Sequence, residues 1–149
     1  MNTDSAFSKY PGGNRIGRLQ DLDVKSKRVF LRLDLNLPIK DGVISDDARL
    51  AAALPTIEYL IKNEAKVIIA SHLGRPKGKP EEKWSLEPIA TELCQRLNAE
   101  VLFSHEIHED SLERMSKELK NGHVLVLENL RFHPGEESND PVSYTHLTL

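Results

Sequence analysis

The sequence predicts an α/β fold, a Rossmann-like and mostly parallel sheet with helices on both faces. Two observations support this prediction. Short apolar runs rich in β-branched residues recur along the chain, and segments with apolar residues at helical spacing lie between them. The resulting order, β-α-β-α-β-α-β, provides the crossover connections that parallel strands need. With 149 residues, the chain has the length of one domain.

Four segments have the character of strands. The first covers residues 28–33, and the second is the buried run at residues 66–70. A short third strand is expected at residues 100–103 and a fourth at residues 123–127. After the first strand, Asp41 and Gly42 form a turn signal.

Three segments are predicted as helices. The first runs from about residue 48 to residue 63, and Pro55 is expected to kink it rather than divide it. Its N-cap candidates are Ser45, Asp46 and Asp47. A second helix follows Ser85, which can cap it, and carries the apolar stripe Ile89, Leu93 and Leu97. The third, polar helix lies near residues 110–120.

Composition and charge narrow the function classes. A formal net charge of −3 disfavours a general nucleic-acid or membrane-surface binder, although a local basic cluster for a small anion remains possible. No apolar run approaches the ~20 residues of a membrane span. The single cysteine, Cys94, favours a reducing compartment and is expected to be inert core, so a cytoplasmic location is predicted.

The two ends of the chain differ from its centre. Residues 1–17 are polar and broken by glycine and proline, which is typical of a loose extension. Residues 141–149 contain no Asp, Glu, Lys or Arg and follow a strongly charged segment, so they are expected to be a tail foreign to the domain.

Polar and cationic residues follow three of the predicted strands where each strand ends. Because the carboxyl ends of parallel strands meet at one edge of a sheet, these side chains are expected to lie together. Arg49, at the start of the first helix, is expected near the same edge, beside the positive end of that helix. The set suits a small, multiply charged anion and comprises Asp34, Asn36, Arg49, His72, Arg75, Asn129 and Arg131.

Simpler interpretations remain open for single residues. A lone surface arginine is usually a solvated charge, and Asp34 and Asn36 could be turn formers. Residues 74–80 hint at a phosphate loop but are one residue short of the Walker spacing. Residues 105–108 read His-Glu-Ile-His without an evident third ligand, so no metal site is expected. Trp84 is expected to be a hydrophobic staple before the second helix.

Three motifs in order carry a resemblance to a known family. They are Arg28 to Pro38 (RVFLRLDLNLP), Ser71 to Pro76 (SHLGRP) and Leu127 to Phe132 (LENLRF), with Asp46-Asp47-Ala48-Arg49 between the first two. Together they closely resemble the N-terminal lobe of phosphoglycerate kinase, of a bacterial type. The resemblance covers about residues 19–140, so residues 18–140 are interpreted as part of the substrate-binding lobe.

The resemblance implies an activity and roles for individual residues. The family is a glycolytic kinase that transfers a phosphoryl group reversibly between 1,3-bisphosphoglycerate with ADP and 3-phosphoglycerate with ATP. By resemblance, Arg49 is the catalytic residue and faces the transferring group, and Asp34 and Asn36 bind glycerate. The implied substrate-binding set is Asp34, Leu35, Asn36, Arg49, His72, Leu73, Gly74, Arg75 and Arg131, of which His72, Arg75 and Arg131 surround the 3-phosphate.

The resemblance also limits what is expected of this chain. Family members use Mg-ATP or Mg-ADP as co-substrate on a second lobe, and no residue here is assigned to a nucleotide, cofactor or metal. The 149-residue chain is therefore expected to carry only the glycerate site and to be inactive alone. The family is typically monomeric, and neither nucleic acid nor membrane is expected as a partner. The alternatives are a non-catalytic anion-binding α/β module and a truncated gene-model product.

Overall fold

The computed structural model describes residues 18–105 and 109–133. Its strands are β1 (Arg28–Arg32), β2 (Ile39–Lys40), β3 (Val43–Ile44), β4 (Lys66–Ala70), β5 (Val101–Ser104) and β6 (Val124–Leu127). Its α-helices are α1 (Ala48–Lys62), α2 (Glu87–Arg96) and α3 (Glu109–Glu118). The predicted N-terminal extension, the predicted tail and the last three residues of the His-Glu-Ile-His motif lie outside the described residues.

Four strands form one parallel sheet in the order β1-β4-β6-β5. The central strands β4 and β6 are buried on both faces, which explains their continuous apolar sequence. β1 alternates between exposed and half-buried residues, and Phe30 remains 44% exposed. The predicted α/β fold and its parallel sheet are confirmed.

Alternate residues of the central strands divide the core between the two faces of the sheet. Val67 and Ile69 of β4 pack in the same cluster as residues of α1 and α2. Ile68 and Ala70 point the other way and pack in a cluster that includes Leu112 of α3. Helices therefore cover both faces, as the sequence predicted.

The predicted turn at Asp41 and Gly42 joins β2 and β3 into a two-residue antiparallel hairpin. Both residues have positive φ, 51° for Asp41 and 76° for Gly42, as the tight turns that match the twist of a hairpin require. The hairpin lies between β1 and α1 in the chain, so α1 begins at residue 48 as predicted.

Cys94 is a correction to the sequence analysis, because its side chain is exposed rather than part of the core. The buried positions of α2 include Ile89 and Leu93. One residue further along a helix is rotated by about 100°, which takes Cys94 off the buried stripe. Cys94 adjoins the apolar stripe in the sequence without belonging to it in the structure.

Within the described ranges, none of the helices is long and apolar enough to cross a membrane.

Candidate functional site at the strand ends

The ends of β1 and β4 are joined by the hydroxyl of Ser71, the first residue after β4. Ser71 is fully buried. Its Oγ donates to the carbonyl of Leu33 at 2.7 Å and accepts from the amide of Leu35 at 2.9 Å. These backbone groups lie just beyond β1, so the hydroxyl continues the contact between the two strands after the sheet ladder ends.

A second bond joins the same two loops closer to the predicted site. The side-chain oxygen of Asn36 accepts from the amide of Gly74 at 3.0 Å. Gly74 has a φ of 60°, in the left-handed region that favours glycine. An added Cβ there would lie 2.2 Å from the ring of Trp84, so this glycine also allows close approach of the indole.

The end of β6 is joined to the end of β4 by two side chains. Asn129, which is fully buried, exchanges hydrogen bonds with both the amide and the carbonyl of Leu73, at 3.2 and 2.7 Å. Arg131 donates from Nη1 to the carbonyl of Gly74 at 2.9 Å. The three strand ends therefore form one hydrogen-bonded unit.

Arg49 reaches this unit from the first turn of α1. Its Nη1 donates to the backbone carbonyl of Asn36 at 2.8 Å and lies 3.3 Å from Oδ1 of Asp34. The side chains of Arg49 and Asp34 are 53% and 63% exposed. The structure thus brings Asp34, Asn36, Arg49, Gly74 and Arg131 together. Asp34 and Arg49 are exposed, and the other three are half-buried.

The remaining predicted site residues occupy the same loops with different exposure. His72 is half-buried and Arg75 is exposed, and both lie on the loop that carries Gly74. The side chains of Leu35 and Leu73 are buried in the core, at 0% and 2% exposure. Their side chains are therefore not available to a ligand, and their backbone amides already bond Ser71 and Asn129.

Glu128 anchors the end of β6 to the start of α2. Its carboxylate is only 6% exposed and accepts from the amides of Leu86 and Asn129 and from the hydroxyl of Ser85. Two of these donors belong to the N-terminal end of α2, where the helix dipole favours a negative charge. Ser85 also accepts from the amide of Glu87 at 3.2 Å. The N-cap position of α2 is nevertheless Leu86, so the predicted cap at Ser85 lies one residue too early.

The start of α1, which carries Arg49, is tied to α2 by an ion pair. Arg96 bonds the carboxylate of Asp47, and it also bonds Glu92 on its own helix. The hydrogen bond from Arg96 and then its positive charge hold the pKa of Asp47 below the ordinary aspartate value. The backbone amide of Ala48 is satisfied by Asp46, one of the predicted N-cap candidates.

A groove of about 860 Å³ lies elsewhere, between the β2–β3 hairpin and α2. Its walls include Asp41, Val43, Glu87, Glu92 and Arg96, and none of the predicted site residues lines it. The charged side chains in these walls are mostly carboxylates, which do not suit an anion, whereas the strand ends carry cationic groups. Among residues 18–105 and 109–133, no three His, Cys, Asp or Glu side chains cluster as metal ligands would.

Sequence reasoning did not assign a role to Ser71 or Glu128. Ser71 follows directly on the apolar strand β4 and is buried. Glu128 follows directly on the apolar strand β6 and is also buried. A polar residue immediately after a fully buried strand is a signal that could have identified both.

Taken together, the fold and the strand ends define an α/β domain whose exposed cationic and polar groups suit a small anionic ligand. The family model of phosphoglycerate kinase matches residues 19–148, and the chain belongs to this family. The matched range extends beyond residue 140, the end of the resemblance carried by the sequence motifs.

Individual relatives agree with this assignment. The chain is 52% identical over 122 residues to the phosphoglycerate kinase of Fervidobacterium nodosum, covering 82% of this chain and 30% of that protein. Identity is also 52% over 122 residues with the phosphoglycerate kinase of Anaeromyxobacter dehalogenans strain 2CP-C, covering 80% and 31%. This chain therefore spans about 30% of the length of these curated relatives.

Solved structures give the same result. The phosphoglycerate kinase from Pyrococcus horikoshii OT3 superposes with a TM-score of 0.73 at 42% identity, covering 90% of this chain and 33% of that one. The phosphoglycerate kinase from Coxiella burnetii superposes with a TM-score of 0.72 at 35% identity, covering 87% and 32%.

Gly74→Ala is expected to destabilise the chain more than Gly42→Ala does. Both glycines have positive φ, so both variants carry backbone strain, but an added Cβ meets nothing within 4 Å at Gly42. At Gly74 it must displace the Trp84 ring, a further cost of about 1–3 kcal/mol. Urea unfolding would measure both variants, and the emission of Trp84, the single tryptophan, should shift only in Gly74→Ala. Equal losses of stability would contradict the packing role.

Arg96→Met is expected to raise the pKa of Asp47 towards the ordinary aspartate value, because it removes the hydrogen bond and the charge that lower it. A carboxyl group whose pKa is lowered in the native state stabilises the fold at pH values above its unfolded-state pKa. That stabilisation is lost as the pH falls through the lower native pKa. NMR titration of the Asp47 carboxyl would measure the change. Arg114→Met, an exposed change on α3, is the control. An unaltered Asp47 midpoint in Arg96→Met would refute the assignment.

Proposed function

We propose that this chain forms the 3-phosphoglycerate-binding part of a phosphoglycerate kinase. The reaction is reversible phosphoryl transfer between 1,3-bisphosphoglycerate with ADP and 3-phosphoglycerate with ATP. The observation that carries the proposal is the joining of three strand ends into one unit that presents Asp34, Arg49 and Arg131 at a single edge of the sheet. Membership of the family supports 3-phosphoglycerate as the anion.

Each group at the edge suits one part of that substrate. Asp34 is an exposed acceptor for a glycerate hydroxyl, and Asn36 carries an amide beside it. His72, Arg75 and Arg131 are proposed to surround the 3-phosphate, because planar guanidinium groups match phosphate oxygens in charge and geometry. Gly74 would let the backbone of the same loop approach the ligand closely.

Arg49 is proposed to stabilise the phosphoryl group during transfer. In the present arrangement it pairs with Asp34 at the surface, and exposed pairs of this kind contribute only about 0–1 kcal/mol. Turning the guanidinium towards an incoming phosphoryl group would therefore cost little. Before the ligand arrives, the hydrogen bond from Arg49 to the carbonyl of Asn36 keeps the guanidinium near the residues proposed to bind glycerate.

The chemistry of the reaction fits a site built from cations. In the direction that consumes ATP, the nucleophile is the carboxylate of 3-phosphoglycerate, which is already ionised at neutral pH, so no general base is required. Transfer depends on alignment and on positive charge near the equatorial oxygens of the phosphoryl group. Arg49 would supply that charge, and the other residues would fix the position of the substrate.

The nucleotide enters this proposal only as co-substrate. Mg-ATP or Mg-ADP is used by the whole-length family, and we assign none of the described residues to it. We expect the 149-residue chain to bind 3-phosphoglycerate without turnover. A coupled assay with 3-phosphoglycerate and Mg-ATP tests this, and measurable turnover would contradict it. A cytoplasmic location is proposed from the glycolytic family.

Binding of 3-phosphoglycerate is the direct test of the proposed site. The chain is expected to bind it, with Arg75→Met weakening binding by about 10- to 100-fold through loss of a charge-assisted hydrogen bond. Titration calorimetry would measure the affinity of the unaltered chain and of Arg75→Met. The exposed change Arg114→Met is the control variant, and glycerate is the control ligand that lacks the phosphate. Loss of the phosphate contact should bring the Arg75→Met affinity for 3-phosphoglycerate towards that for glycerate. No binding by the folded chain would overturn the proposal.

Arg49→Ala separates catalysis from binding in a whole-length enzyme that contains this segment. Removing one group that stabilises transition-state charge is expected to lower kcat by about 10²–10³-fold. Affinity for 3-phosphoglycerate should fall much less, because Arg49 faces the transferring group rather than the 3-phosphate. Steady-state kinetics and equilibrium binding would be compared. Similar losses in the two parameters would count against the catalytic role.

A further inference from the structure

The buried amide of Asn129 uses its complete hydrogen-bonding capacity inside the protein. Its oxygen accepts from the amides of Leu73 at 3.2 Å and Arg131 at 3.0 Å. Its nitrogen donates to the carbonyls of Leu73 at 2.7 Å and Trp84 at 2.9 Å. A side-chain amide has two donors and two acceptor positions, so nothing remains for a ligand. Any contribution of Asn129 to binding must act through its neighbours.

Those neighbours hold Arg131 from two directions. Asn129 fixes the backbone of Leu73 through both its amide and its carbonyl, and the next carbonyl along the chain, that of Gly74, accepts from Nη1 of Arg131. Asn129 also accepts from the backbone amide of Arg131 itself. One amide thus sets both the start of the Arg131 side chain and the acceptor that holds its end.

We infer that Asn129 is a positioning residue that fixes the Arg131 guanidinium before the ligand arrives. The inference rests on the proposed function, in which Arg131 contacts the 3-phosphate. A guanidinium that is already oriented loses less conformational freedom on binding, so preorganisation raises affinity. Because the amide is neutral, it orients Arg131 without competing with phosphate for its charge.

The first measurement needs neither ligand nor a change at Asn129. In the unliganded 149-residue chain, the Nη protons of Arg131 should give distinct NMR signals, because the bond to Gly74 restrains the guanidinium. Arg131→Met assigns these signals by their loss. A single averaged guanidinium signal would overturn the inference, and this result does not depend on whether 3-phosphoglycerate binds.

The second measurement changes Asn129 itself. Asn129→Ala should average the Arg131 guanidinium signals and weaken 3-phosphoglycerate binding by about tenfold, the loss expected for roughly 1.4 kcal/mol. Asn129→Ser, which supplies a hydroxyl in place of the amide, is used if the alanine variant does not fold. Asn121→Ala is the matched control, since that exposed amide bonds Ser26 at the opposite end of β6. The control should bind within about twofold of the unaltered chain.

A double-mutant cycle distinguishes positioning from a merely structural role. If Asn129 acts through Arg131, the double variant Asn129→Ala with Arg131→Met should bind 3-phosphoglycerate no more weakly than Arg131→Met alone. Asn129→Ser replaces Asn129→Ala in this comparison if alanine prevents folding. Independent, additive losses would overturn the inference. The two proposals can also fail separately. The unaltered chain could show distinct Arg131 signals, which the Asn129 variant averages, and yet not bind 3-phosphoglycerate. In that case the proposed function fails and the positioning of Arg131 stands.

Discussion

The structure depends on how backbone groups are satisfied where parallel strands end. Beyond the last ladder bond, each chain carries amides and carbonyls that are buried but have lost their strand partners, and leaving them unpaired is costly. Ser71 meets this need between β1 and β4, and Asn129 meets it between β6 and β4. The same bonds fix the loops that carry the candidate site, so the stability of this edge and the geometry of the site have one origin.

At this edge of the sheet, neutral side chains join the loops and charged side chains are exposed to a ligand. The buried positions that join the loops, Ser71 and Asn129, are neutral, and burying neutral groups is acceptable once they are fully hydrogen-bonded. The charged side chains of Asp34, Arg49 and Arg75 remain exposed and hydrated, so they stay available to a ligand. Glu128 is the exception, a buried carboxylate whose charge is offset by donors at the start of α2.

Much of this arrangement could be predicted from the sequence, because it follows from local periodicity. The run Lys66–Ala70 identified β4, and the residues after it identified a candidate binding loop. The bonds by which Ser71 and Asn129 join different loops could not be predicted, since they connect residues 36 to 56 positions apart and depend on the strand order. Cys94 was misjudged for a related reason, because burial on a helix changes completely within one residue.

Strand order also explains why the loop after β4 carries so many of the site residues. β4 lies between β1 and β6 in the sheet. Of these three strands, only β4 therefore has a strand that contributes to the candidate site on each of its two sides. Ser71 and Gly74 turn to the β1 side, and Leu73 and Gly74 also bond the β6 side. β5 lies beyond β6, and its end provides the carbonyl of Ser104 to Glu128 rather than a cation to the site. The parallel sheet therefore concentrates the candidate site around its central loop.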